Sequence, residues 1–185
     1  MMQFISSLDV RVLETLYAYR DLTAVDIFIG VSELASALFI GGLIFCIGII
    51  LILRGRYAYL LGLVVSSLGG AGSMFLLKEL IERIRPPVMY QAYIENGFSL
   101  PSGHATIAAA FYGFCIYLLW RLVPSLIWRT MAILGLGTLI AGIAFSRLYL
   151  GVHYLSDVIA GLILGGIFVW IGIAVVRRLE IGESP

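Results

Sequence analysis

Charge is scarce in this sequence. Only 12% of its 185 residues are Asp, Glu, Lys or Arg, about half the share of a soluble domain. Hydrophobic residues make up 61% of the chain, and mean hydropathy is +1.04. That balance excludes an ordinary soluble domain and describes an integral membrane protein. The length suits one bundle, so residues 1–185 are expected to form a single domain. A net charge of +1 leaves no basic surface for nucleic acid. Cysteine is scarce as well. Cys46 and Cys115 both lie inside apolar runs and are expected to be small buried hydrophobes, without a disulfide. Met1–Asp9 has no basic start and no small-residue cleavage site, so no cleavable signal is expected there. Histidine is equally scarce, with only His104 and His153. No repeat or low-complexity tract is present.

What is abundant is apolar run. Five segments approach the ~20 residues that a helix needs to cross a bilayer. They are Ser36–Leu53, Tyr57–Ile81, His104–Trp120, Leu126–Phe145 and Ser156–Val176. Residues 1–30 are mixed. Phe4, Leu8, Val12 and Leu16 recur every four positions among Ser7, Asp9, Arg11 and Glu14, which suits an amphipathic helix lying in the interface. Asp26 and Glu33 argue against a deep span that begins before about residue 34. The expected fold is therefore all-α: a polytopic membrane bundle over residues 36–178 with five full spans and an N-terminal interfacial helix. Alternating topology puts Arg54, Arg56, Arg121, Arg129, Arg177 and Arg178 on one side, expected to be cytoplasmic. Gly161 and Gly165 stand at GxxxG spacing, which suits tight packing inside one bundle more than dimerisation. A monomer or weak homo-oligomer is expected.

The remaining polar residues gather in three stretches at the other ends of the spans. In the first, Lys78 and Arg85 lie seven apart, two helical turns, and Pro86 and Pro87 are expected to stop that helix just after Arg85. Glu82 and Arg83 read as interfacial charges that snorkel to water. In the second, Pro101-Ser102-Gly103-His104 has the form of a helix start. Ser102 is a candidate cap, and Gly103 lets a ligand reach the backbone. In the third, His153 and Asp157 are one helical turn apart, so the carboxylate can fix the imidazole tautomer. Arg147 lies six residues earlier, across Gly151. Three cations, backbone N–H groups and two imidazoles on one membrane face suit an anion undergoing phosphoryl transfer. A zinc site is the weaker reading, because three neighbouring cations would repel the metal. Tyr90, Tyr93 and Phe98 in the loop suit the membrane boundary.

The pattern Lys78-x6-Arg85-Pro86, Pro101-Ser102-Gly103-His104 and Ser146-Arg147-x5-His153-x3-Asp157 resembles the three-part motif of the type 2 phosphatidic acid phosphatase superfamily. That superfamily includes lipid phosphate phosphatases, glucose-6-phosphatases and vanadium haloperoxidases. The resemblance implies a lipid phosphate or diphosphate phosphatase. Phosphatidic acid, phosphatidylglycerophosphate and undecaprenyl diphosphate are all compatible substrates. It implies His153 as the nucleophile, Asp157 as its orienting group, and His104 as the acid and then the base. It implies Lys78, Arg85, Arg147, Ser102 and the Gly103 backbone as phosphate binders, with no metal or other cofactor. The site is expected at the extracytoplasmic face of the cell membrane. A phosphotransferase using the same site is the alternative; a transporter or an inactive scaffold fits less well.

Overall fold

The computed structural model describes residues 2–182. Its helices are α1 (Met2–Ala18), α2 (Leu22–Glu33), α3 (Ala37–Leu53), α4 (Tyr57–Ile81), α5 (Gly103–Leu122), α6 (Leu126–Tyr149) and α7 (Leu155–Gly182). A short 3-10 turn, Val88–Tyr90, lies in the connection between α4 and α5. No strand occurs among the described residues.

Local chemistry sets the breaks. The Asp21 carboxylate accepts the Ala24 N–H at 3.1 Å and starts α2; the Ser36 hydroxyl accepts the Phe39 N–H at 3.3 Å and starts α3. The expected single helix over residues 1–30 is thus two helices, and α2 is not a free interfacial element. Together α2 and α3 form one apolar stretch, Leu22–Leu53. Phe28 anchors α2 to α6, with its ring 4.6 Å from that of Tyr149 and 5.4 Å from that of Phe145. The Tyr112 hydroxyl donates to Leu34 O at 2.6 Å and holds the break between α2 and α3.

The helix α5 is the axis of the bundle. Ala105, Ala108, Ala110, Phe111 and Phe114 are all buried on it, and α4, α6 and α7 pack around it. The approach of α7 is close enough to need glycine. A Cβ on Gly165 would lie 2.5 Å from Ala109 Cβ, and one on Gly161 would lie 2.7 Å from Ser102 O. The GxxxG pair therefore serves packing within one chain. Leu38, Phe45, Leu53, Ile163 and Trp170 point outward, where a bilayer would cover them. Five stretches are long and apolar enough to span: Leu22–Leu53, Tyr57–Ile81, Gly103–Leu122, Leu126–Tyr149 and Leu155–Ile181. Cys46 is exposed on α3 rather than buried, because it faces outward among lipid-facing neighbours; both cysteines are free.

At one end of the bundle the Glu180 carboxylate accepts from Arg121 Nη2 at 3.0 Å and from the Tyr59 hydroxyl at 2.6 Å. At the other end lie the C-termini of α4 and α6 and the N-termini of α5 and α7. All three motif stretches meet there.

Candidate active site

The helix α4 stops at Ile81, four residues short of Arg85. Glu82 takes a left-handed conformation, with φ of 51° and ψ of 35°, and closes the helix end. Residues 83–86 then run along the segment before Pro101. Ser99 N–H donates to Arg83 O at 2.8 Å, and the Ser99 hydroxyl to the same oxygen at 3.1 Å. Proline at 86 disfavours helical backbone at Arg85, and the left-handed Glu82 places the stop itself further upstream. Lys78 and Arg85 still reach the same cavity, one from the last helical turn and the other from the extended strand of chain.

That cavity holds about 530 Å³, and Lys78, Arg85, Glu95, Phe98, Gly103 and His104 contribute to its wall. Lys78 Nζ donates to Phe98 O at 2.5 Å. Arg85 is spread over several acceptors. Its Nη1 meets Val152 O at 2.9 Å, its Nε meets Gly97 O at 3.0 Å, and its Nη2 meets Glu95 Oε1 at 3.1 Å. Arg147 is fully buried at the end of α6. Its Nη1 donates to Ser32 Oγ at 2.5 Å and to the Tyr93 hydroxyl at 2.8 Å, its Nη2 pairs with Glu95 Oε2, and its Nε has no partner. Burial would raise the Glu95 carboxyl, but the Arg147 and Arg85 guanidiniums outweigh that and hold it below the usual range. The same burial lowers the Arg85 guanidinium.

The third stretch turns at Gly151, whose φ is +70°. A Cβ there would strike Tyr90 O at 2.0 Å. The turn delivers His153, 1% exposed, to a position just before α7 rather than within it. Arg85 Nη1 lies 3.2 Å from His153 Nε2. A guanidinium only donates, so Nε2 is the acceptor and Nδ1 carries the proton. That Nδ1 faces Asp157 Oδ2 at 3.7 Å, beyond direct hydrogen-bond length. Burial pushes the imidazole pKa down to about 4, against the pull of Asp157. Asp157 itself is fully committed. Its Oδ2 accepts the Tyr154 N–H at 2.9 Å, closing the start of α7, and its Oδ1 accepts Arg83 Nη1 at 2.5 Å. Its carbonyl accepts the Ser102 N–H at 2.9 Å, which ties the second stretch to the third.

Ser102 sits at the start of α5 but its hydroxyl does not cap the helix. The oxygen is buried and has no partner, while the Ser102 carbonyl takes both the Thr106 N–H and hydroxyl. The unfilled Ser102 hydroxyl and Arg147 Nε are polar atoms left without a protein partner, which suits a ligand rich in acceptor oxygens. Among the described residues, no group of three or more His, Cys, Asp or Glu side chains is placed to hold a metal ion.

All eight expected site residues therefore come to one end of the bundle. Arg83 does not snorkel: it is paired with two carboxylates, those of Asp9 and Asp157. Sequence reasoning also missed Glu95 and Ser32, and read Tyr93 only as a boundary residue, whereas its hydroxyl accepts from Arg147. Glu95 carried a signal, being the sole acidic residue between Glu82 and Asp157.

A sequence model of the PAP2 superfamily matches residues 56–181, a stretch holding every residue of the three-part motif. The chain belongs to the PAP2 superfamily. It is a multi-pass membrane member. It is 33% identical over 146 residues to phosphatidylglycerophosphatase B of Bacillus subtilis, covering 76% of this chain and 69% of that protein. It is 30% identical over 119 residues to lipid A 4'-phosphatase of Bacteroides thetaiotaomicron, covering 56% of this chain but only 47% of that one. The crystal structure of a transmembrane PAP2-type phosphatidylglycerolphosphate phosphatase from Bacillus subtilis superposes with a TM-score of 0.84 at 28% identity, over 97% of this chain and 88% of that one. Aquifex aeolicus LpxE shares the fold, with a TM-score of 0.70 at 19% identity over 90% and 95%.

Proposed function

We propose that this PAP2 member hydrolyses a lipid phosphate or diphosphate, through a phosphohistidine, at the extracytoplasmic face. The observation that carries the reading is the approach of Arg85 Nη1 to His153 Nε2 at 3.2 Å, from which the tautomer follows. With Nδ1 protonated, the Nε2 lone pair faces Arg85, which itself lines the cavity where a phosphoryl group would sit. Burial keeps that lone pair free of a proton at neutral pH.

In this mechanism Nε2 attacks phosphorus as the ester or anhydride P–O bond breaks. His104, which takes up a proton together with the incoming phosphate anion, gives that proton to the departing oxygen. The Nδ1 proton faces Asp157, which stabilises the positive charge that develops on the ring. A water then loses a proton to His104 and attacks phosphorus. The P–N bond breaks, phosphate leaves, and both histidines return to their starting forms. Lys78, Arg85, Arg147, Ser102 and the Gly103 N–H hold the phosphoryl oxygens. Three cations already supply the charge that a metal would bring, so turnover is expected in excess chelator.

Lipid substrates fit the position of the site. A headgroup can enter the cavity at the helix ends while its chain stays beside the apolar outer faces. The relatives named for phosphatidylglycerophosphate and lipid A support this class, with phosphatidic acid and undecaprenyl diphosphate as further candidates. The twelve basic residues divide six and six between the two ends, but three at the site end, Lys78, Arg85 and Arg147, are accounted for by the site, which supports an extracytoplasmic placement. The test is phosphate release from a panel of these lipids by purified protein with chelator present. Vanadate-sensitive release that His153→Ala abolishes is expected. Substantial turnover by that variant would refute the nucleophile assignment.

A further inference from the structure

Asp9 is out of place for an interfacial helix. It lies on α1, yet is only 2% exposed. A carboxylate buried this way needs partners, and it has three. Asp9 Oδ2 accepts Arg83 Nη2 at 2.7 Å and the Ser156 hydroxyl at 2.6 Å, while Oδ1 accepts the Ser156 N–H at 2.9 Å. The other terminal nitrogen of Arg83, Nη1, donates to Asp157 Oδ1 at 2.5 Å and to Ser156 Oγ at 2.7 Å. The Tyr154 ring lies 4.5 Å beneath the guanidinium. The Arg83 backbone is pinned through its carbonyl by Ser99.

One guanidinium thus spans two buried carboxylates from different helices. We propose that Arg83 and Asp9 are positioning residues for the nucleophile, which makes α1 part of the catalytic unit. The inference rests on the assignment of His153 as nucleophile. Arg83 holds Asp157 Oδ1, which fixes the carboxylate plane and leaves Oδ2 facing His153 Nδ1. The Tyr154 N–H alone would leave that plane free to turn. Asp9 fixes the direction of Arg83 by taking its second terminal nitrogen. The planar fork matters: a lysine ammonium carries the same charge but cannot place two directed N–H groups on two carboxylates.

A merely structural tie would hold α1 against the bundle and leave His153 unaffected. The two readings separate in Asp9→Asn and Arg83→Lys, both of which avoid leaving two buried acids without a cation. Positioning predicts that kcat falls about 10- to 100-fold in each, the usual effect of losing an outer partner, while KM for the lipid stays near wild type. It also predicts a signature that needs no turnover. The chain has only two histidines, so a ¹⁵N-histidine spectrum holds two imidazoles, and His104→Gln assigns them. In the wild type, His153 should report a protonated Nδ1 and an unprotonated Nε2. In both variants that signal should move toward a mixture of tautomers. An unchanged His153 signal in folded Asp9→Asn and Arg83→Lys proteins overturns the proposal. So does a loss confined to KM or to melting temperature. Asp9→Glu should recover part of the kcat lost in Asp9→Asn; no recovery counts against positioning. Failure of the nucleophile assignment looks different: wild type releases no phosphate, or His153→Ala retains turnover, whatever the spectrum shows.

Discussion

The packing of α7 on α5 sets the distance between the site's two halves, so one methyl group should be enough to disable it. Ser102, Gly103 and His104 begin α5, while Asp157 lies in the first turn of α7. Gly161 and Gly165 are the points of closest approach. A Cβ at Gly165 would sit 2.5 Å from Ala109 Cβ, 2.6 Å from Thr106 O and 2.9 Å from Ala110 N. Carbon atoms in contact prefer at least about 3.5 Å, and two of these three neighbours are backbone. Gly165→Ala therefore forces the helices apart by roughly 1 Å, a misplacement that can cost about 100-fold in rate. Overpacking of this kind also costs about 1–3 kcal/mol of stability. At Gly161 the first obstacle is Ser102 O itself, at 2.7 Å, so the shift is smaller but falls directly on the site. Gly166 is the control, since nothing lies within 4 Å of its Cβ position. The assay is phosphate release with a parallel thermal melt in the same detergent. Gly165→Ala should lose one to two orders of magnitude in kcat, Gly161→Ala about one, and Gly166→Ala none. Wild-type kcat in Gly165→Ala would refute the claim that this contact sets the catalytic geometry.

Two further predictions concern charge at the site. The Glu95 carboxylate pairs with both Arg85 and Arg147, so an incoming phosphoryl group competes with it. Glu95→Gln should tighten vanadate inhibition by about tenfold, roughly 1.4 kcal/mol, and weaker inhibition would show that Glu95 does not compete for that anion. His153 has a folded pKa of about 4, below its ordinary 6.5. Between those values the unfolded chain binds a proton that the folded one refuses, so stability should fall as pH drops from about 6.5 to about 4 and level off below. Melting curves of wild type and His153→Asn across that range check it; the same slope in both would assign the loss to other groups.

Much of this was legible because the membrane makes polar residues expensive. With 12% of residues charged, clustered cations near two histidines stand out against the apolar spans, and the spacing in three short stretches pointed to the candidate site. Span positions followed from run length for the same reason: α3, α4 and α6 begin within a residue of where the apolar runs do. What stayed hidden was pairing across long sequence separation. Nothing local to Arg83 says whether it snorkels to water or turns inward toward Asp9, 74 residues away. The helix end at Ile81 was hidden in a different way. The double proline fixes where helix cannot be, and the left-handed Glu82 then moved the boundary upstream. Ser102 reads as a cap by residue type, but α5 satisfies its first turn otherwise and leaves the hydroxyl free.

Two of these displaced expectations, the end of α4 and the direction of Arg83, are linked physically. Had α4 continued to Arg85, Arg83 and Arg85 would lie about 200° apart on a helix and could not serve one site together. Extended backbone instead aligns them, because successive side chains alternate and positions two apart share a side. Ending α4 early therefore puts Arg83 and Arg85 on one side of a short strand of chain. From there Arg83 reaches Asp157, and Arg85 reaches His153 Nε2. The two arginines grip the opposite ends of a single Asp157–His153 pair, one at Asp157 Oδ1 and one at His153 Nε2. The proline after Arg85 thus contributes more than a helix stop: it favours the extended run that lets neighbouring cations act on both ends of that pair.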